Sequence, residues 1–167
     1  LWVFMREYNT TLIEKISAKF EGMSCAQLSD AAQERVHVLP NIFSSYGGKE
    51  KLCGPIFSVN TDDDMLPPIQ ALCNAPEGSV IFINNLSEKS NPEALIGEIY
   101  TTVTLRYKLK GIVVKGAIRD IKFIKELPLP VYASQVSFVS SKLAEKPALE
   151  LPGKIAFNDF FISPGDW

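Results

Sequence analysis

A single histidine, His37, in 167 residues excludes any zinc centre built on several imidazoles. With His37 as the only candidate base, the Ser44-Ser45 and Ser140-Ser141 pairs lack both a partner and a nucleophile-elbow motif, and turn chemistry accounts for them. Three cysteines, Cys25, Cys53 and Cys73, are odd in number and show no Cys-x-x-Cys spacing, which excludes a disulfide framework. They read as small buried apolar residues in a reducing compartment such as the cytoplasm. Long apolar runs are also missing: Gly78 to Ile83 is far too short for a bilayer, and Leu1 to Met5 meets Arg6 and Glu7 at once. Net charge is only −2, and no basic stripe is present to follow a phosphate backbone. No Gly-x-Gly loop follows any candidate strand, so nothing cradles a nucleotide cofactor. Asp62-Asp63-Asp64 lacks the glycine and terminal glutamate of a calcium loop and reads as helix capping.

What is present is an ordinary globular composition, 46% hydrophobic and 22% charged, without repeats or a linker. One domain over residues 1–167 is expected, opening with a helical segment over about residues 9–34. Asn9-Thr10-Thr11 can cap a helix carrying Leu12, Ile13, Ile16 and Phe20, and Ser24 can cap a second through Leu28, Ala31 and Ala32. Tyr46-Gly47-Gly48 breaks the chain. Then Leu52–Val59 reads as a strand, and Asp64–Ala75 as a helix with Pro67 and Pro68 in its first turn. Ser79–Asn84 reads as a buried strand, Gly97–Lys110 as a helix and Gly111–Lys115 as another buried strand. Strand–helix–strand order predicts a right-handed crossover. Beyond Arg119, Pro130–Ala133, Val136–Val139, Leu149–Leu151 and Lys154–Ile162 read as short strands. The fold class is therefore α/β, a mixed sheet with a βαβ unit plus a second antiparallel β layer. A start at Leu1 and an end on the turn signal Pro164-Gly165 suggest a chain that continues past its C-terminus.

The informative stretch is Leu95-Ile-Gly-Glu-Ile-Tyr-Thr followed by Gly111-Ile-Val-Val-Lys-Gly-Ala-Ile-Arg-Asp. Gly97 to Tyr100 should open a helix, whose first amides lack intrahelical acceptors and suit a carboxylate. Asp120 falls just past the carboxyl end of the next strand, where ligands of α/β sheets collect. Arg119 can grip a carboxylate or keto oxygen through two parallel hydrogen bonds. Asp120, pointing elsewhere, offers a hard oxygen to Mg²⁺ or Mn²⁺, and Glu98 can hold a water of that ion. Charge so placed stabilises the enolate formed when a bond beside a ketone breaks. The plain alternative is an exposed Arg-Asp pair worth under about 1 kcal/mol, with Glu98 serving only the helix dipole.

Further motifs carry a resemblance: Ser29-Asp30-Ala31, Gly54-Pro55-Ile56, Gly78-Ser-Val, Gly97-Glu-Ile, Gly111-Ile-Val-Val-x-Gly-x-Ile-Arg-Asp, Leu129-Pro-Val-Tyr-Ala and Pro164-Gly-Asp. From about Ser24 to Trp167 the chain resembles the family that joins regulator of ribonuclease activity A to the 4-hydroxy-4-methyl-2-oxoglutarate/4-carboxy-4-hydroxy-2-oxoadipate (HMG/CHA) aldolases. The resemblance implies a swivelling β/β/α three-layer sandwich, assembled as a homotrimer or a hexamer with sites between subunits. Carried onto this chain, it implies that Asp120 ligates Mg²⁺ or Mn²⁺ and that Glu98 holds a metal-bound water. It further implies that Arg119 binds pyruvate beside Gly97 and the amides of Ile99 and Tyr100. The implied activity is metal-dependent cleavage of 4-hydroxy-2-keto acids to pyruvate, with oxaloacetate decarboxylation through the same pyruvate enolate. Partners would be small 2-keto acids, not nucleic acid or membrane.

The chain departs from the family's usual residues at Asn84-Asn85, at Lys115 and at Gln135. Those positions bear on substrate choice. Two other functions stay open: a non-catalytic regulator that binds a ribonuclease or RNA helicase, and, more weakly, a methyltransferase of menaquinone type.

Overall fold

Uninterrupted apolar β-branched runs need burial on both faces, and a sheet covered on two sides provides it. The computed structural model describes residues 10–32, 35–48, 51–157 and 159–167. In chain order the elements are α1 (Thr10–Glu21), α2 (Cys25–Ala32), β1 (Ser44–Gly47), β2 (Ile56–Thr61), α3 (Leu66–Asn74), β3 (Val80–Asn85) and β4 (Ala94–Ile96). They continue with α4 (Glu98–Arg106), β5 (Gly111–Ile118), α5 (Ile121–Glu126), β6 (Val131–Val136), β7 (Ile155–Phe157) and β8 (Phe160–Ile162). The main sheet has six strands in the order β1-β6-β5-β3-β2, with β4 pairing β5, and only the β1–β6 pair is antiparallel.

Strands β2, β3, β5 and β6 are added in one direction along the sheet. Crossovers of a single hand then place α3, α4 and α5 together on one face. Alternation along each strand divides the core accordingly. Ile81 and Ile83 of β3, Ile112 and Val114 of β5, and Val131 and Ala133 of β6 pack towards the helices. Val80, Phe82 and Val113 face the opposite way, onto Ile155, Phe157 and Ile162 of the β7–β8 hairpin. The result is the expected mixed sheet with helices on one side and a small antiparallel β layer on the other.

Several local expectations hold. Ser24 and Gln27 form a reciprocal capping box at α2, Gln27 N–H to Ser24 Oγ at 3.1 Å and Ser24 N–H to Gln27 Oε1 at 2.8 Å. Pro67 and Pro68 occupy the first turn of α3. The proposed cap residue Asn9 lies outside the described residues, as do residues 33 and 34 of the N-terminal segment. Others need correction. The 52–59 strand begins only at Ile56, after Gly54-Pro55. Lys154–Ile162 is a hairpin rather than one strand, Val136–Val139 leaves the sheet after Val136, and Leu149 in the 149–151 stretch is fully exposed. Ser44 and Ser45 lie on β1 instead of a turn. Cys25 and Cys73 are exposed and Cys53 half-buried, so burial does not explain the cysteines, although none is in a disulfide.

The aspartate run divides its work. Asp64 is buried, and its carboxylate accepts hydrogen bonds from the backbone N–H groups of Leu66 (2.8 Å), Glu145 (3.0 Å) and Lys146 (2.9 Å). One side chain therefore binds the first amide of α3 from the residue before its N-cap, Met65, and ties the 143–148 segment to the helix, as the Met65 N–H to Leu143 O bond at 2.7 Å also does. Burial pushes the Asp64 carboxyl up, but these amides outweigh it and hold it below its ordinary 3.8. A depressed folded value means stabilisation that is complete above about pH 3.8 and lost as pH falls through the lowered value. Asp64→Asn should therefore cost about 1–3 kcal/mol at pH 7. Denaturant titrations should show that cost shrinking in acid; an equal cost at pH 7 and below pH 3.8 would contradict this.

Candidate functional site

Strand β4 is only three residues long, but it delivers Gly97 to the N-cap of α4 beside the end of β5. Arg119 N–H donates to Ile96 O at 3.0 Å, which holds the β5–α5 turn against the β4–α4 turn. Across that junction the Glu98 N–H donates to Asp120 Oδ2 at 3.0 Å. Two loops distant in sequence thus meet at the first turn of a helix, as the sequence suggested. Gly97 permits it: a Cβ there would fall on Asp120 Oδ2 and within 2.9 Å of Arg119 Cγ.

Arg119 and Asp120 do not point apart. Arg119 Nε lies 3.5 Å from Asp120 Oδ2, so the two side chains form an ion pair and the expectation of divergent directions is corrected. Both remain partly open to water, 41% and 39% exposed, where such a pair contributes only about 0–1 kcal/mol. Asp120 also adopts the left-handed region at φ 59°, which aspartate enters more readily than most side chains. So weak a pair adds little to stability. What it achieves is orientation. With Nε turned to Asp120, the two terminal nitrogens of the guanidinium remain as a fork.

Glu98 is exposed in the first turn of α4, and Ile99 beside it is 78% exposed. The amides of Ile99 and Tyr100 belong to the turn that has no intrahelical acceptors. The Tyr100 ring is buried, its hydroxyl donating to Pro68 O at 2.8 Å, and burial, with Cys73 nearby, raises its proton affinity far above the ordinary tyrosine value. That side chain fastens α4 to α3 and offers no acid or base. His37 stacks on Phe160, with ring centroids 4.5 Å apart and 5° between planes, and takes no part in the Gly97–Asp120 junction.

The donor set decides which ion the site could accept. Asp120 keeps one carboxylate oxygen clear of the Glu98 amide, Glu98 adds an exposed carboxylate, and no group of three or more His, Cys, Asp or Glu is gathered among the described residues. One or two hard oxygens fit Mg²⁺ or Mn²⁺, which retain several waters, and do not fit zinc.

A second feature went unread in the sequence. A cleft of about 390 Å³ opens near the carboxyl ends of β3, β5 and β6, lined by Asp63, Asn85, Lys89, Lys115, Ser134 and Gln135 among others. None of Gly97, Glu98, Arg119 or Asp120 lines it. Asp63, buried in its wall, pairs with Lys89 at 3.0 Å and exchanges two hydrogen bonds with Asn85. Burial pushes the Asp63 carboxyl up, and hydrogen bonds from Ser87, Asn85 and Lys89 more than reverse this. Three of the positions at which the chain departs from the usual family residues, Asn85, Lys115 and Gln135, meet here. That coincidence was the available signal.

A family model described as RraA-like, Aldolase/RraA, matches residues 25–167. A protein of Aromatoleum aromaticum that carries the provisional name 4-hydroxy-4-methyl-2-oxoglutarate aldolase is 29% identical over 140 residues, covering 84% of this chain and 86% of that one. A Geobacillus kaustophilus crystal structure titled as an S-adenosylmethionine:2-dimethylmenaquinone methyltransferase superposes with a TM-score of 0.77 at 29% identity, covering 86% of each chain. The RNA-processing inhibitor RraA of Thermus thermophilus shares the fold, with a TM-score of 0.73 at 23% identity over 86% of this chain and 84% of that one.

The close approach at Gly97 gives a direct test. Gly97→Ala should cost about 1–3 kcal/mol through overpacking and should free the Glu98 amide. Thermal unfolding and the hydrogen-exchange rate of that amide measure both, and an unchanged amide would contradict the geometry.

Proposed function

The chain belongs to the RraA-like (Aldolase/RraA) family, and from that premise we propose that it is a divalent-metal-dependent lyase. Its reaction on this reading is cleavage of 4-hydroxy-2-keto acids to pyruvate and a second carbonyl product, with decarboxylation of oxaloacetate by the same chemistry. The observation that carries the reading is the junction of the Glu98 amide with Asp120 beside the Arg119 fork, at the first turn of α4.

Arg119 binds the substrate carboxylate through its two terminal nitrogens, the remaining nitrogen being held by Asp120. The Ile99 and Tyr100 amides add donors at the positive end of the helix. Gly97 keeps the two turns close enough for these groups to share one ligand. Asp120 and, through water, Glu98 would hold Mg²⁺ or Mn²⁺. Bound there, the ion would supply positive charge to the keto oxygen as the neighbouring bond breaks.

Exposed apolar side chains flank the junction. Ile99 is 78% exposed on one side, and on the other are Val136 and Phe138, 50% and 92% exposed, where Ser137 N–H meets Ile118 O at 3.0 Å. Cover by further copies of the chain suits them, in a homotrimer or a hexamer.

A second reading, a regulator of a ribonuclease or RNA helicase, is favoured by the fold shared with the Thermus RNA-processing inhibitor. The methyltransferase title of the Geobacillus structure finds less support, since no two glycines of the sequence stand at Gly-x-Gly spacing. Calorimetry with S-adenosylmethionine checks that point.

Pyruvate release from oxaloacetate and from 4-hydroxy-2-keto acids should require Mg²⁺ or Mn²⁺ and disappear in Asp120→Ala. Arg119→Lys keeps the charge and loses the fork, so kcat/KM should fall roughly 10- to 100-fold, the equivalent of one or two charged hydrogen bonds. Absence of turnover on all these substrates in the wild-type protein, together with tight association with a purified ribonuclease, would favour the regulator. Light scattering should give a mass of three or six chains, and a persistent monomer would remove the assembly.

A further inference from the structure

The Arg119–Asp120 junction leaves the 390 Å³ cleft beside β5 without a role. Lys115 projects from β5 in register with Asn84 of β3 and is half-buried, with its ammonium group 5.7 Å from the centroid of the Phe157 ring. No Asp or Glu lies within ion-pair distance of it among the described residues. Asn84 is buried at its side, its amide nitrogen donating to Asn60 and its Oδ1 without a donor among the described residues. The cleft lining adds the neutral polar groups of Asn85, Ser134 and Gln135 beside apolar Ile42 and Pro92 and three further charged residues.

The charges of the cleft can be counted. Lys89 is neutralised by Asp63 at 3.0 Å, and Glu88 is exposed at the rim, where water and salt screen it. Lys115 is left as the lining cation without an ion-pair partner among the described residues. The residue is half-buried, so a counter-charge there is worth more than on open surface. The Gly116 bulge shapes the floor. Its φ of 154° favours glycine, and a Cβ there would come within 3.1 Å of Asn85 Cβ, so a side chain would begin to fill the space. A single positive charge among amides and a hydroxyl matches a monoanionic carboxylate. A phosphate dianion would need a second free cation, and none faces it here.

We propose that this cleft is a binding site for a small carboxylate anion, separate from the Arg119–Asp120 junction, with Lys115 supplying the counter-charge. The site does not depend on the lyase reading: a regulator of the same fold would carry it as a ligand-sensing cleft.

The test is an amide NMR titration of the full 167-residue chain with lactate, and in parallel with inorganic phosphate. Lactate should give saturable shifts at Gly116, Ser134 and Gln135, with a dissociation constant in the millimolar range. Lys115→Gln should weaken that binding roughly tenfold or more, as expected when a partly desolvated charge is lost, whereas Lys115→Arg should retain it and Asp120→Ala should leave it unchanged. The thermal midpoints of the variants establish that each is folded. Equal lactate affinity in Lys115→Gln, shifts confined to Gly97–Tyr100, phosphate binding as tight as lactate, or no saturable shift in the folded wild-type chain would each overturn the proposal.

Discussion

Strand β5 sets the terms for everything around it. It pairs with β3, β4 and β6, and all but one of its eight residues are buried. A strand covered on both faces cannot slip by one residue without sending Ile112 and Val114 to the wrong layer. Its register therefore fixes where its carboxyl end emerges, and with it the position of Arg119 and Asp120. The helices fasten that end from one side, the β4–α4 turn from another. Stability of the sheet and placement of the charged groups are one problem.

The same strand separates two chemistries. Before the bulge at Gly116, Lys115 lies against the small β layer and its cleft. Beyond it, the chain enters the turn that reaches α4. One extra residue in the ladder lets a single strand serve two unrelated environments, which regular alternation would not.

What could be read from the sequence followed from how strongly each segment declared itself. The runs Val80–Ile83 and Ile112–Val114 have no competing interpretation, and they gave the parallel core. Capping chemistry placed α2 through Ser24, and the structure adds Gln27 as its reciprocal partner. Strand β4 has three residues and α5 six, too short for either period to show. Strand β1, Ser-Ser-Tyr-Gly, has the composition of a turn and becomes a strand only because the edge of β6 offers it hydrogen bonds. The hairpin β7–β8 was missed as a hairpin because Phe157 to Phe160 carries no glycine turn signal. At the site, convergence of two loops was legible, but the direction of Asp120 was not. Adjacent residues usually diverge, and the left-handed backbone at Asp120 defeats that rule. The Lys115 cleft was visible only as scattered departures from a pattern until pairing brought them together.

That left-handed backbone narrows what residue 120 can be. Few side chains tolerate it, and asparagine is the one that also matches aspartate in shape. Exchange of one oxygen for nitrogen would preserve the turn while removing the negative charge on which the junction relies. A single substitution at residue 120 would thus separate the shape of this turn from its charge and leave the scaffold intact.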